Sequence, residues 1–171
     1  DVERSRGLGD VYKRQTEQLP IERTVRDWKT QSVYIGQIAL RATLSSDVFP
    51  LVAEMRNQIA AEDAMRKRID EALTKASSSE SARPLWAQAQ AERQKYAALR
   101  DALVQNALEA KIISQKELQE HAAALTQYLR SIDQLLAASE QSSLNAGDSM
   151  IADASRAVSY THLTLPTSDL V

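Results

Sequence analysis

One stretch limits what this chain can fold into. Leu118, Ala122, Leu125, Leu129, Ile132, Leu136, Ser139, Ser143, Ala146 and Met150 follow one another at intervals that alternate four and three without a slip. That 3.5-residue period is the seam of a helix packed against left-handed supercoiled neighbours. No proline interrupts Ser114 to Ala157, and the only glycine there is Gly147. A single helix is predicted, roughly 60 Å long at the α-helical rise. Its seam is apolar as far as Leu136 and small or polar from Ser139 onward. The first half is therefore expected to pack tightly, and the second to form a lightly packed extension.

Three further seams precede it. Ile21, Val25, Trp28, Ser32, Ile35, Ala39 and Ala42 repeat the four-three spacing on a helix predicted from about Pro20 to Leu44, with Ser32 a tolerated hydroxyl on a helix contact. Pro20 suits a first turn, where a missing N–H costs nothing. Ser45, Ser46 and Asp47 offer N-cap oxygens for a second helix, Val48 to about Ala76, with Pro50 in its first turn. The second seam, Val48, Val52, Met55, Ile59, Glu62, Arg66, Ile69 and Leu73, is charged in its middle. Glu62 and Arg66 are expected to pair on the helix surface. The polar run Lys75 to Ser81 reads as a loop ending in an N-cap serine. A third helix, about Ala82 to Ala110, follows with the seam Leu85, Ala89, Glu92, Tyr96, Leu99 and Leu103, and Trp86 anchors its start. Lys111 to Ile113 is a short connection, after which Ser114 and Glu117 match a capping box. Short connections make consecutive helices antiparallel neighbours. The predicted fold class is all-α, an antiparallel up-down-up-down four-helix bundle whose first helix begins, and last helix ends, at one pole.

The two ends read differently. Ser5 to Gln15 and Val158 to Thr167 each resemble a translated transposase-type sequencing adapter. Asp10 to Gln15 can be written GAT GTG TAT AAG AGA CAG. The reverse complement of that string, taken from its third base, encodes Val158-Ser-Tyr-Thr-His162. Residues 1–15 and 158–171 are therefore expected to be adapter-derived, residues 16–157 to form the domain, and both of its ends to be truncations.

Composition removes most chemistry. The chain has no cysteine, which excludes disulfides, thiolate metal sites and a cysteine nucleophile. Its formal net charge is −2 with the signs interspersed, so no basic stripe marks a nucleic-acid partner. No apolar run approaches the length of a membrane span. A di-iron bundle needs Glu-x-x-His on two helices, but the histidines are His121 and His162, and residue 118 is leucine. His121 reads as a surface histidine, and Met55, Met65 and Met150 as core filler rather than haem ligands. No glycine-flanked serine or phosphate-binding glycine loop lies within 16–157. No metal, cofactor or catalytic residue is expected, and the domain is not expected to be an enzyme. Binding and mechanical coupling remain.

Leu19-Pro-Ile-Glu-Arg-Thr-Val-Arg-Asp-Trp28, the first-helix ending Leu40-Arg-Ala-Thr43, the Met55-containing second helix, Arg93-Gln-Lys-Tyr96-Ala-Ala-Leu-Arg100 and the alanine-rich fourth helix carry a resemblance. Together they resemble the periplasmic four-helix-bundle sensor domain of bacterial methyl-accepting chemotaxis proteins, in style nearest the aspartate/serine receptors. The resemblance implies a homodimeric receptor of the bacterial inner membrane. This domain would be periplasmic, between transmembrane helices outside 16–157, with a HAMP linker and cytoplasmic signalling coiled coil to follow. It implies a small-molecule ligand, such as an amino or organic acid, or a periplasmic binding protein as partner. A piston-like shift of the last helix would carry the signal. The family's arginine spacing is not reproduced. Arg23, Arg26 and Lys29 lie toward the membrane pole. Arg41, with Gln37 on its face and Thr126 on the fourth helix, is what the resemblance leaves as ligand-binding residues. A histidine kinase or diguanylate cyclase sensor, or a structural bundle without ligand, are the alternatives.

Overall fold

The computed structural model describes the backbone of residues 2–76 and 80–164, and side chains over 5–8, 21–76, 80–142, 144, 148 and 151–158. The described residues are all-helical, without strands: α1 (Val2–Leu44), α2 (Phe49–Lys75), α3 (Ala82–Leu108) and α4 (Gln115–Thr164). The helix starting near Pro20 in the sequence reading is longer. α1 passes through Pro20, which forgoes one backbone hydrogen bond. α4 likewise runs past Ala157.

On α1 every seam position, from Ile21 to Ala42, is at most 6% exposed, and Ile38 joins them. α1 packs against all three other helices. Gly36 lies close against α4, since a Cβ there would lie 2.8 Å from Leu125 Cδ2. α2 keeps Pro50 in its first turn, but its N-cap is Val48, without a side-chain cap. Ser45 instead closes the turn on itself, its Oγ donating to the Asp47 carbonyl at 2.9 Å and accepting from the Asp47 N–H at 3.2 Å. Ser81 stands at the N-cap of α3 with no side-chain cap bond either. The loop residues 77–79 lie outside the described residues.

The α3–α4 connection is the most defined of the three. α3 stops two residues before the expected Ala110. The Ala110 N–H donates to the Ala107 carbonyl and the Lys111 N–H to that of Asn106, and Ala110 sits at φ 53°. This is a Schellman stop with alanine where glycine is usual. The expected capping box then opens α4. The Ser114 N–H donates to Glu117 Oε2 at 2.7 Å, and the Glu117 N–H to Ser114 Oγ at 3.1 Å. Those bonds hold the Glu117 carboxyl below its ordinary range.

The buried stripe of α4 is turned by one residue from the expected seam. Ala122 is exposed and Leu129 half-buried, whereas His121, Tyr128 and Leu135 are buried, together with Ile132 and Ser139. His121, Tyr128 and Leu135 are themselves heptad-spaced. The period is as expected, but the tyrosine ring takes the inward place because it reaches aromatic neighbours: Trp28 at 5.8 Å and Tyr96 at 5.7 Å between centroids. The continuation at Ser143, Ala146 and Met150 falls outside the described side chains.

Two apolar clusters make the core. One holds Val25, Trp28, Ile69, Leu73, Tyr96, Tyr128, Ile132 and Leu135, and the other Ile35, Ile38, Val52, Met55 and Val104. On α1 and α2 the clusters are separated by Ser32 and Glu62. Two substitutions in the α3–α4 connection should move stability in opposite directions. Ser114→Ala removes the cap and costs about 1 kcal/mol. Ala110→Gly relieves the left-handed strain, offset by the entropy glycine adds to the unfolded chain, for a gain of about 0.5 to 1 kcal/mol. In thermal denaturation each kcal/mol reads as roughly 2 to 4 °C for a chain of this size.

Candidate functional site

Glu62 lies on the apolar face of α2 and is fully buried. The expected surface pair with Arg66 does not form. Glu62 instead accepts from Arg93 Nε of α3, while Arg66 bonds to Asp63 and Gln90. The helical register decides this. Glu62 stands seven residues from both Met55 and Ile69, so the turns that bury them bury it too. Such a carboxylate is tolerable only when paired and hydrogen-bonded. Tyr128 of α4 donates to Glu62 Oε1 at 3.4 Å, and its hydroxyl also meets Ser32 Oγ of α1 at 3.1 Å. Ser32 Oγ also lies 2.8 Å from the Trp28 carbonyl of its own helix, so its one proton serves either that carbonyl or the Tyr128 oxygen. One chain of polar contacts thus visits all four helices: Ser32, Tyr128, Glu62, Arg93. Burial works against the Arg93 charge. The attraction and hydrogen bond of Glu62 outweigh it and hold the guanidinium above its ordinary value. Burial pushes the Tyr128 phenol well above its usual range.

A second polar group lies further along α3 and α4. His121 is buried, contrary to the surface placement expected for it, and neither ring nitrogen has a hydrogen-bond partner among the described residues. It tilts against Tyr96 with centroids 5.2 Å apart, and Arg100 sits over the other ring, its Cζ 5.7 Å from the Tyr96 centroid. Arg100 is 3% exposed; its Nε reaches Asp101 at 3.0 Å, and its Nη1 is unpartnered. Desolvation, then the Arg100 charge, push the His121 pKa down and keep the ring neutral.

The surface of α2 toward α3 is different again. These two helices touch least among the packed pairs and are bridged mainly by long polar side chains. Between them runs a groove of about 590 Å³ lined by Asp63, Arg66, Lys67, Asp70, Trp86, Gln90 and Arg93. Arg93 Nη2 reaches Asp63 at 3.1 Å, and Trp86 Nε1 donates to Asp70 Oδ1 at 3.0 Å. The other face of Trp86 packs edgewise on Trp28, 5.4 Å away, which makes it the expected anchor of α3.

Arg41, Gln37 and Thr126 are all exposed. The Thr126 hydroxyl is spent on its own helix, donating to the Ala122 carbonyl at 2.9 Å. Arg41 is close enough to act on the Tyr34 phenol, which the Glu54 carboxylate raises above its ordinary value. No hydrogen bond or ion pair joins the three to one another among the described residues. The polar layer was missed because a charged letter on a seam reads as a surface break. The signal that could have found it is the full run of the seam through Glu62 without a change of register. Among the described residues no group of three His, Cys, Asp or Glu is placed to hold a metal ion.

Comparison with protein-family models, with curated proteins and with solved structures returned no match to this chain.

Two outcomes follow from the buried groups. Arg93→Ala strands the Glu62 carboxylate and should lower stability by about 3 to 5 kcal/mol in denaturant titration, whereas the double change Glu62→Leu with Arg93→Leu should recover most of that loss. The folded-state pKa of His121 lies below its unfolded value of about 6.5, so its contribution is fully present above that pH and is lost as pH falls through the folded value. Wild-type stability should therefore drop as pH falls below about 6.5, and His121→Phe should flatten that part of the profile.

Proposed function

We propose that this chain is the extracytoplasmic ligand-sensing domain of a transmembrane chemoreceptor of the methyl-accepting type, and that α1 to α4 form an up-down-up-down four-helix bundle. The direction of the contacts supports the bundle. Gln31 meets Gln58 and Tyr34 meets Glu54, so partner numbers fall as those of α1 rise. The same holds for Asp70 with Trp86 and Glu62 with Arg93, and for Tyr96 with His121 and Asn106 with Glu117.

The observation that carries the sensor reading is that α4 runs on, exposed, past the level at which it pairs with the start of the described core of α1. Arg26 pairs with Glu140 at 2.7 Å and Lys29 with Asp133 at 2.6 Å. Beyond that level Leu144, Asp148 and residues 151–157 of α4 are exposed, while α1 continues back through Pro20 toward the same pole. Exposed ion pairs contribute little. These two pairs therefore add little to whatever resistance the buried contacts offer to a small axial shift of α4. A ligand drives such a shift only if it binds one arrangement better than the other. Arg41, Gln37 and Thr126 face solvent in the single chain, as a site completed by a second copy requires. Among the described residues no helix is long and apolar enough to cross a membrane, so the reading needs membrane helices encoded outside this sequence.

Sequencing the source locus past both ends tests it. The expected result is a membrane span on each side, followed by a HAMP region and a long heptad-patterned cytoplasmic segment. An open reading frame with no span on either side overturns it. In solution, a ligand at a hundred times its dissociation constant should add about 2.7 kcal/mol to stability, and Arg41→Ala should remove the gain if that face binds it.

A further inference from the structure

We infer that protonation of His121 releases the start of α4, residues 115–127, from α3 while the rest of the described core stays folded, so that the α3–α4 hairpin is an acid-operated joint. The inference goes beyond the sensor reading and does not rest on it.

Packing along α4 is uneven. Over 115–127, where every residue is described, His121 is the one buried side chain; Glu117, Leu118, Ala124 and Leu125 are half-buried and the others exposed. From Tyr128 the helix is buried repeatedly, at Tyr128, Ser131, Ile132 and Leu135, and the Tyr128 hydroxyl is tied to Glu62 and Ser32 besides. The apolar cluster around Ile35, Ile38, Val52, Met55 and Val104 takes no member from α4, so it loses none when this stretch leaves. The start of α4 is thus held to the core by a single titratable ring.

The surroundings of that ring oppose a charge on it. His121 tilts on Tyr96 with centroids 5.2 Å apart, and the buried Arg100 guanidinium lies 5.7 Å from the centre of the same Tyr96 ring. Both imidazole nitrogens, Arg100 Nη1 and the Tyr96 hydroxyl are buried without a hydrogen-bond partner among the described residues. The nearby carboxylates are committed or exposed. On α3, Asp101 is exposed and engaged by Arg100 Nε. On α4, Glu117 serves Ser114 and Asn106, and Glu120 is exposed beside Lys116. On α2, Glu62 is bound to Arg93. α1 presents Gly36 to Tyr96 and Leu125. A ring charged in place would be a second buried cation without a counterion.

The direction with pH follows. Burial and then Arg100 push the His121 pKa down in the closed hairpin. Once released, the imidazole meets water and titrates near its ordinary value of about 6.5. Acid therefore favours the released form, by about tenfold in the opening equilibrium for each pH unit below that value, until the ring protonates in place. A helical stretch this short is marginal in water without its packing, so its backbone amides report the release.

Site-resolved amide hydrogen exchange on the full chain, corrected for the intrinsic pH dependence of exchange, tests the joint. From about pH 7.5 to about pH 5.5, protection over 115–127 should fall about tenfold, while α2 and residues 128–135 keep theirs. That window lies above the carboxylate range, and the Glu117 carboxyl is held lower still, so the helix cap stays intact. His121→Phe keeps a ring on Tyr96 and His121→Gln keeps a polar side chain, and neither takes up a proton. Protection over 115–127 should be independent of pH in both. Constant protection in the wild type, an equal loss in all four helices, or a loss that persists in either variant overturns the inference.

Discussion

The burial of one carboxylate organises this molecule. Glu62 occupies a core register on α2, and a charge taken out of water must be answered from its surroundings. The answers come from every other helix: Arg93 from α3, Tyr128 from α4 and, through Tyr128, Ser32 from α1. Apolar surface alone would let the helices slide and rotate against one another, since hydrophobic burial has no direction. A carboxylate that must meet a guanidinium and a phenol fixes the axial level and rotation of each helix at that point. The two apolar clusters then fill the space on either side.

The same arrangement makes the helix pairs unequal. α1 with α4, and α3 with α4, are joined through aromatic and aliphatic packing around Trp28, Tyr96 and Tyr128. α2 and α3 are joined chiefly by arginine, carboxylate and amide bridges, and a groove opens between them. Long polar side chains hold two helices apart as much as together, because their bonds are made at the ends of flexible stems. A tight apolar side and an open polar side thus come from one distribution of residues.

Much of this was legible in advance where the signal is local. The Ser114–Glu117 box forms as read, since its partners are three residues apart and need nothing from the rest of the fold. The α1 seam is buried at every position named, because Ile21, Val25, Trp28 and Ile35 at heptad spacing carry the small residues between them inward. The failures also have local reasons. The end of α3 was placed two residues late because its stop uses Ala110 in a conformation that glycine usually marks. Serine N-caps were expected for α2 and α3, yet Ser45 and Ser81 make no such cap bond. His121 was assigned to the surface because residue type outweighed its place seven residues before Tyr128.

The sequence by itself determined the four helices, their order, the C-terminal ends of α1 and α2 within a residue or two and the heptad period, since these depend on propensity and spacing along one chain. It also excluded thiol chemistry, through the absence of cysteine. Only the tertiary structure decided which of two adjacent stripes on α4 faces inward, that Glu62 pairs with Arg93 rather than Arg66, and that Gln90 and Lys67 share a groove with Asp70. Each of those depends on what stands across the gap. A helix seam states that a face will be buried, but the depth at which a charge becomes intolerable, and the partner that relieves it, are properties of the neighbouring helices.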